Sequence, residues 1–396
     1  GNNSVSISSS DTSEVNIQKY VLGGLVDASG SGSVHRNTVD ISGSGKIASY
    51  VAGGVNKGSG KAASSENIVN ISGFQSANPK VYSIEIGAYV LGGSIEGGVA
   101  GETNKNKVSI TNSHVTQYIA GGYNQGAGQV SASENEVYLE GVSLIDPGVV
   151  DSRFVVGGLL SNSAGTGDAN KNKVVLVESS FTGKYIAGGL SQGTGVVDGN
   201  EVTLVDAAVN GFVAGGLDWY GKNVTLTHNT VSVTGGSVVG RVAGARSFSG
   251  SDANFNSVYV QGAEIKAGGE YKGHVLGAAN QSGGNALNNY VQVRDSKVEG
   301  GFYSGSTNNN EVIIENSTVN GNIGGGYNQA GGTLSASDNT VVVKILPTAS
   351  EESFGAGGFI AGGIIGDKQK GAGFTNNNTV NIINSSTENS FEINSY

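Results

Sequence analysis

The sequence contains no cysteine and no methionine, only three prolines, and a single tryptophan among its 396 residues. The absence of cysteine excludes disulfide bonds and thiolate-bound metals. Glycine is abundant, at 67 residues, but a collagen-like chain would pair glycine at every third position with many prolines and is therefore excluded. No hydrophobic run is long enough to form a helix that spans a bilayer.

Positive charge is also scarce, with 22 Lys and Arg against 32 Asp and Glu and a formal net charge of −10. The basic residues are scattered, so the sequence predicts no nucleic-acid partner and no membrane insertion by this segment. The first residues do not form a secretory signal peptide, and the chain begins with Gly1. We therefore expect a trimmed or processed fragment of a longer protein.

A five-residue pattern, Asn-x-Val-x-(Ile/Leu/Val), is repeated along the whole chain. It occurs thirteen times between Asn3 and Asn378, with a mean period of about 31 residues. Typical copies are "NTVDI", which begins at Asn37, and "NEVTL", which begins at Asn200. Alternating Val and Ile place apolar side chains on one face of a short strand, and such a strand buries that face only by stacking on similar strands.

A second element lies between successive copies of this pattern. It is an aromatic residue, a short apolar run and Gly-Gly, as in "YIAGG" at 118–122. The phrase "GGYNQGAGQVSASENEV" at 121–137 returns in slightly changed form at 325–341. We interpret this duplication as two repeat units that have diverged least.

These patterns predict an all-β fold, a right-handed parallel β-helix (β-solenoid) of about twelve coils of ~31 residues, as a single segment over 1–396. Gly-Gly is predicted to form a corner, with positive φ and close approach of neighbouring coils. A phosphate-binding loop would instead need a following helix, and none is indicated. The recurrent Asn is predicted to form a hydrogen-bonded ladder, because a calcium repeat would need Asp at fixed positions. No metal and no cofactor are therefore expected.

Insertions lengthen one arm of the repeat, between the motif Asn and the next Gly-Gly. Seven arms have 15 or 16 residues and five have 20 to 25, and three of the long arms carry the three prolines, Pro79, Pro147 and Pro347. Loops on one side of a repeat protein often bind partners. These prolines are therefore candidate binding residues, and so is Arg153, which lies in the same insertion as Pro147. The alternative is that insertions are merely tolerated there.

The repeat units resemble the passenger regions of bacterial autotransporters, which are type V secreted surface proteins. Asn-Thr-Val-x-Ile strands and aromatic-Val-x-Gly-Gly elements carry the resemblance over nearly the whole chain. It implies a right-handed β-helix displayed outside the cell and joined to a C-terminal outer-membrane barrel. The chain ends in mid-unit with "FEINSY" at 391–396, so we expect a segment of a longer array. Family members are mostly adhesins or self-associating proteins, and some carry protease, esterase or toxin activity.

No catalytic arrangement is indicated by the sequence. The four histidines occupy different units, and neither a Ser-His-Asp arrangement nor a nucleophile signature such as GxSxG is visible. Asp and Arg fall close together at Asp151 and Arg153 and at Arg294 and Asp295. Surface ion pairing is the simpler interpretation of both, and a β-helical lyase would need clustered carboxylates.

One loop is chemically distinctive, "LDWYGKN" at 217–223, which contains the only tryptophan. Exposed aromatic rings beside polar side chains can stack on sugars, so Asp218, Trp219 and Tyr220 are candidate binding residues. Tyr123 and Tyr327 follow Gly-Gly in other units and are candidates for the same reason. The alternative is that the tryptophan packs on a neighbouring coil.

The sequence therefore favours a non-enzymatic segment of a bacterial surface adhesin, exported across the outer membrane. Its expected partners are a host-cell receptor or glycan, or other copies of itself on neighbouring cells. Two alternatives stay open, namely a β-helical carbohydrate-active enzyme or phage tailspike, and a secreted toxin passenger.

Overall fold

The protein is described by a computed structural model. The structure describes residues 1–10, 13–74, 84–98, 100–145, 152–221, 223–268, 272–280, 284–305, 308–328, 334–347, 353–365, 373–386 and 390–393. Contacts divide the chain into two compact units, 1–202 and 203–396. Each unit is built from parallel strands and is a β-solenoid, as predicted. The described part of the chain contains no helix that could span a membrane.

Each coil uses up to four short strands, which we name after their sequence. The motif strand carries the Asn-x-Val pattern, and the middle strand follows it. The Gly-Gly strand comes next, and the return strand leads back to the next motif Asn. Equivalent strands of successive coils pair in parallel and in register, so that Val39 lies opposite Val69 and Gly54 opposite Gly93.

In the first unit the motif strands are Ser4–Ser8, Thr38–Gly43, Ile68–Gly73, Lys107–Thr111, Glu136–Glu140 and Lys173–Val177, followed by Glu201–Val205 at the unit boundary. The middle strands are Val15–Ile17, Gly45–Ile47, Ile84–Ile86, Ser113–Val115 and Ser143–Leu144. The Gly-Gly strands are Val21–Val26, Val51–Asn56, Val90–Ile95, Ile119–Asn124 and Phe154–Leu160, and Ser180–Ser191 joins both types. The return strands are Ser33–His35, Ala62–Ser65, Gly101–Glu102, Gly128–Ser131, Gly165–Asp168 and Gly195–Asp198.

In the second unit the motif strands are Thr230–Thr234, Ser257–Gln261, Tyr290–Arg294, Glu311–Glu315, Thr340–Ile345 and Thr379–Asn384. The middle strands are Ser237–Val239, Glu264–Lys266, Lys297–Val298, Thr318–Val319, Ser353–Ala356 and Ser390–Ile393. The Gly-Gly strands are Val242–Ser247, Val275–Asn280, Phe302–Gly305, Ile323–Asn328 and Ile360–Ile365, and Ala208–Asp218 joins both types. The return strands are Val224–Thr227, Ala253–Asn254, Leu334–Ser335 and Gly373–Phe374.

The motif valines form the buried ladder that the repeat predicts. In the first unit these valines are buried in every coil from Val39 onwards, and in the second unit from Val231 to Val341. Val380 is the exception, since 40 % of its surface is exposed. Its strand pairs with Thr340–Ile345 on one side, and no other described strand lies against its second edge. The prediction of burial was therefore wrong for this one rung.

The motif asparagines form the predicted hydrogen-bonded ladder in both units. Within each unit, Nδ2 of one motif Asn donates to Oδ1 of the next, at 2.8–3.0 Å in the first unit and 3.0–3.2 Å in the second. The same Oδ1 also accepts the backbone N–H of the preceding Asn, as Asn135 Oδ1 does from Asn106 at 3.0 Å. These side chains are nearly all buried, so the ladder satisfies polar groups that would otherwise be costly inside the solenoid.

The residue before the motif Asn has a left-handed backbone conformation, with positive φ, in nearly every coil. Arg36, Glu66 and Lys105 are examples from the first unit, with φ of 54°, 57° and 58°. Phe255 and Asp338 adopt the same conformation in the second unit, at 59° and 57°. This conformation turns the chain sharply between the return strand and the motif strand, and side chains other than glycine adopt it at some cost.

The Gly-Gly pair lies inside a strand and does not form the predicted corner. Gly121 and Gly122 are part of Ile119–Asn124, and neither has a positive φ. The other half of the prediction, close approach, is confirmed. A Cβ on Gly121 would lie 2.6 Å from the carbonyl oxygen of Gly157 and 2.8 Å from Cβ of Asn135. Glycine is therefore needed because the buried asparagine ladder packs directly against this backbone.

Aromatic rings stack along the first unit, one per coil, immediately before or at the start of each Gly-Gly strand. Their centroids are 4.6–5.3 Å apart and the interplanar angles are 11–26°. The stack consists of Tyr20, Tyr50, Tyr89, Tyr118, Phe154 and Tyr185. Parallel in-register pairing places equivalent residues one strand spacing apart, so a repeated aromatic position becomes a continuous stack.

Candidate functional site

The loop that carries the tryptophan is organised by a buried carboxylate. Asp218 ends the strand Ala208–Asp218 and has no exposed surface. One of its oxygens accepts the backbone N–H of Gly221 at 2.7 Å, and the other accepts the hydroxyl of Ser247 at 2.9 Å and that of Ser249. Three hydrogen bonds to one carboxylate hold the turn in a single conformation. Asp218, a predicted binding residue, is therefore placed to position the loop rather than to contact a ligand.

Trp219 and Tyr220 lie at the surface end of this loop. Their ring centroids are 6.1 Å apart and the ring planes lie at 81° to each other, an edge-to-face pair that we call the aromatic corner. Tyr220 is 70 % exposed and Trp219 is partly exposed. The ring of Trp219 also packs on Phe248 of the next coil, at 4.7 Å and 42°, as the second interpretation of this residue predicted.

A buried arginine supports the aromatic corner from behind. Arg246 is only 5 % exposed, and its guanidinium lies 4.0 Å from the ring centroid of Phe248 and 4.7 Å from that of Phe212. Such cation–π contacts are strongest when the charge is removed from water. Arg246 pairs in register with Leu217, so an arginine occupies an aliphatic position of the Gly-Gly strand. That substitution in the sequence "VAGARS" is the signal that would have identified it.

The other two predicted tyrosines differ from the tryptophan loop. Tyr123 lies within the strand Ile119–Asn124 of the first unit, not in the loop after it. Its ring lies 6.0 Å from that of Tyr118 at 50°, and its hydroxyl accepts a hydrogen bond from Gln125 at 2.8 Å. Tyr123 therefore lies beside the aromatic stack. Tyr327 lies in the strand Ile323–Asn328 of the second unit, where it pairs with Ile364.

Burial in this stack changes the acidity of its phenols. Desolvation, and then the neighbouring Tyr50, raise the pKa of Tyr89 to about 12. Burial also raises the pKa of Tyr118, with Tyr123 as the next cause. The stacked faces cover one another, so the stack presents mainly ring edges to solvent and offers little face area for a sugar.

The predicted residues of the insertions fall partly outside the described residues, which exclude Pro79, Pro147 and Asp151. Pro347 is described and lies exposed in a turn after Thr340–Ile345. The insertions that contain Pro79 and Pro347 follow motif strands, whereas the insertion that contains Pro147 follows the middle strand Ser143–Leu144. The three therefore do not leave their coils at one common turn.

Arg153 is fully buried. Its Nε donates to the carbonyl oxygen of Thr116 at 3.0 Å, and its Nη1 donates to that of Thr182 at 2.5 Å. These two residues lie on either side of Arg153 along the first unit, so the guanidinium links neighbouring coils. This predicted binding residue is thus turned inward, because a planar group with five donors is well suited to satisfy buried carbonyls.

The duplicated phrase encodes a network of hydrogen bonds between coils. Oδ1 of Asn104 accepts the hydroxyl of Ser131 at 2.7 Å and the backbone N–H of Ser133 at 2.8 Å. The second copy repeats this arrangement, since Oδ1 of Asn308 accepts the hydroxyl of Ser335 and the backbone N–H of Ser337, both at 2.8 Å. The phrase is therefore kept similar by the structure of the return turn.

The remaining polar residues that the sequence analysis considered make contacts within the solenoid. Arg294 and Asp295 form an exposed ion pair at 3.2 Å, as the simpler interpretation predicted. His228 stacks on Phe255 at 5.4 Å. His274 accepts the backbone N–H of Gly301 at 2.8 Å, and burial followed by the nearby Arg241 lowers its pKa to about 4. Among the described residues, no three His, Asp or Glu side chains are grouped so that they could hold a metal ion.

The sequence matches no known protein-family model, and neither a curated protein nor a solved structure was found to be similar to it. The aromatic corner is consequently argued from its own geometry alone. Its two rings, one of them largely exposed, are held by a buried carboxylate and a buried arginine. This arrangement is suited to binding a ligand by stacking.

Proposed function

We propose that this chain is an extracellular segment of a bacterial surface adhesin, which mediates attachment to a host cell or to other bacterial cells. The observation that carries the proposal is the aromatic corner of Trp219 and Tyr220, an exposed binding surface on a rigid, repetitive scaffold. A solenoid resists local opening because each coil is covered by its neighbours, which suits a protein that displays a binding loop outside the cell.

The surroundings of the charged candidates support a non-enzymatic role. Asp218 is buried in hydrogen bonds, and Arg153 is bonded to backbone carbonyls. Arg294 is paired with its exposed neighbour Asp295. None of these groups is arranged as the pair of accessible carboxylates that glycoside hydrolysis needs. We therefore favour binding over the alternatives of a carbohydrate-active enzyme, a tailspike or a toxin passenger.

Location and partners follow from the proposed role. We place the segment on the bacterial surface after export across the outer membrane, as its resemblance to autotransporter passengers implies. The partner is a host receptor or glycan, or a second copy of the chain on another cell. The acidic, cysteine-free composition is compatible with export in an unfolded state, since no disulfide can form too early.

The test is an attachment assay with the purified chain coupled to fluorescent beads. We expect coated beads to bind host epithelial cells or to aggregate with one another, and uncoated beads to do neither. A variant in which the proline-containing insertions are shortened to the common arm length reports whether attachment uses those insertions or the aromatic corner. Release of reducing ends from bacterial or host polysaccharides, without attachment, would contradict the proposal and favour the enzyme alternative.

A further inference from the structure

We infer that the aromatic corner binds one pyranose ring of a neutral saccharide. This inference rests on the proposed attachment function, because it names the ligand class of the same loop. The two rings are nearly perpendicular, at 81°, and Tyr220 is 70 % exposed. A pyranose can stack its apolar C–H face on one ring and place its edge against the other.

The aromatic corner is held in place before any ligand arrives. The carboxylate of Asp218 holds the loop through Gly221, Ser247 and Ser249. Trp219 packs on Phe248, which is itself covered by the guanidinium of Arg246. A preorganised site loses little conformational freedom on binding, and this is important for a weakly binding ligand such as a single sugar.

The register of the coils marks these aromatic residues as a local departure from the repeat. The residue that directly follows the Gly-Gly strand is polar or charged in each coil of the first unit, namely Asp27, Lys57, Glu96, Gln125, Ser161 and Gln192. In the second unit the same position holds Trp219 and then Phe248. A polar, at least partly exposed position thus becomes aromatic in two successive coils, with Tyr220 added beside it.

The charges around the corner point to a neutral ligand. The two ionised groups that build it are withdrawn from solvent, since Asp218 has no exposed surface and Arg246 only 5 %. Arg246 is therefore not available to pair with a carboxylate or sulfate of an acidic glycan, and the formal net charge of −10 disfavours such ligands; Lys222 of the same loop lies outside the described residues. Asn223, an exposed neutral polar side chain of this loop, can hydrogen-bond sugar hydroxyls.

A protein partner fits this surface less well. A stable protein–protein interface usually engages about 20–30 residues on each side. The aromatic corner offers two side chains, which lie between the buried residues Asp218 and Gly221. We therefore commit to a saccharide, and treat binding to a protein as an outcome that the experiment would reveal.

The test combines a glycan array with the fluorescence of the single tryptophan. Purified chain is applied to an array of neutral and acidic glycans, and each bound glycan is then titrated in solution while Trp219 emission is recorded. We expect binding to neutral glycans with a saturable change in emission. Tyr220→Ala and Trp219→Ala should weaken array binding at least tenfold, and Trp219→Phe should retain part of it. Tyr259→Ala is the matched control, because Tyr259 is an exposed aromatic on a motif strand, and it should bind as the parent chain does.

The possible results separate the inference from the proposed function. Loss of glycan binding in both alanine variants, with unchanged far-ultraviolet circular dichroism and an unaffected control, would support the inference. Binding to acidic glycans only, binding to no glycan on the array, or equal loss in the control would overturn it. If beads still attach to cells in one of these cases, the adhesin proposal survives with another ligand, such as a protein. If the beads do not attach either, both fail.

Discussion

Replacing one buried asparagine of the ladder should destabilise the solenoid far more than replacing an exposed member. Asn135 is fully buried, and its Oδ1 accepts both the backbone N–H and Nδ2 of Asn106, each at 3.0 Å. Its own Nδ2 donates to Oδ1 of Asn172 at 3.0 Å. Asn135→Ala therefore removes three hydrogen bonds in the interior of the first unit.

The cost follows from what each former partner retains. Nδ2 of Asn106 keeps its bond to the carbonyl oxygen of Ser64, and Oδ1 of Asn172 keeps the backbone N–H of residue 135. The backbone N–H of Asn106, in contrast, loses its acceptor while it is buried. An unsatisfied buried donor costs about 1–3 kcal/mol, and each of the other two bonds contributes about 1 kcal/mol. We expect the free energy of unfolding of the surrounding coils to fall by roughly 3–5 kcal/mol.

Asn3 provides a matched control of the same residue type. It is exposed, and its side chain donates a single hydrogen bond, to Oδ1 of Asn37 at 2.8 Å. Asn3→Ala should change stability by less than about 1 kcal/mol, since water replaces an exposed partner at little cost. The comparison separates the effect of burial from the intrinsic preference of alanine.

Hydrogen exchange measured by mass spectrometry is the appropriate assay. A repeat protein need not unfold in a single two-state transition, whereas exchange reports the opening of each coil. We expect Asn135→Ala to accelerate exchange in peptides containing Asn106 and in the neighbouring coils of the first unit, and Asn3→Ala to leave them unchanged. Similar exchange in the two variants would refute the claim that the ladder stabilises the interior.

Three further predictions follow from individual environments. Val137→Asp should bury an unpaired charge and lower stability by several kcal/mol, with faster exchange in neighbouring coils, whereas Tyr138→Asp on the opposite, solvent-facing side should cost much less, even with the loss of its hydrogen bond to Glu140; equal effects would contradict the register. Burial lowers the pKa of His274 in the folded protein to about 4, from 6.5 in the unfolded chain. The folded protein therefore has its full stability above pH 6.5, where the imidazole is neutral in both states, and loses stability as the pH falls towards 4. Thermal melts at pH 7 and 4 should show a loss of about 1–2 kcal/mol, allowing for partial exposure, that His274→Asn abolishes; the same pH dependence in both proteins would count against this assignment. Arg153→Met should cost about 2–4 kcal/mol in denaturant unfolding through its lost carbonyl bonds and leave array binding unchanged; a selective loss of binding would restore Arg153 as a binding residue.

The repeat alone was sufficient to predict the strand architecture, the valine ladder and the asparagine ladder. Strand formation and the direction of each side chain depend on a local alternation of residue types, which is visible in copies such as "NTVDI" at Asn37. Once identical strands stack in parallel, the same residue must recur above and below itself. A repeated Asn therefore lies next to the equivalent Asn of the neighbouring coil.

The sequence was a weaker guide where a residue's environment depends on a different strand of the coil. The Gly-Gly pair was predicted as a corner, yet Gly121 lies within a strand. Glycine is needed there because Asn135 of the motif strand packs against it. Tyr123 was predicted in a loop, and its ring instead lies beside Tyr118. Val380 follows the buried pattern perfectly and is exposed, because burial requires a further strand on its second edge.

Only the tertiary structure decided how the tryptophan loop is built. The sequence pointed to Trp219 and Tyr220 as unusual, because aromatic residues replace polar ones there. It did not reveal that Asp218 is buried under Ser247, or that Arg246 covers Phe248 behind the corner. The contact between Asp218 and Ser247 joins residues 29 positions apart in sequence, and it exists because parallel stacking places equivalent positions of successive coils one strand spacing apart. A local pattern determines which residues form strands, whereas the stacking of the coils determines which side chains meet.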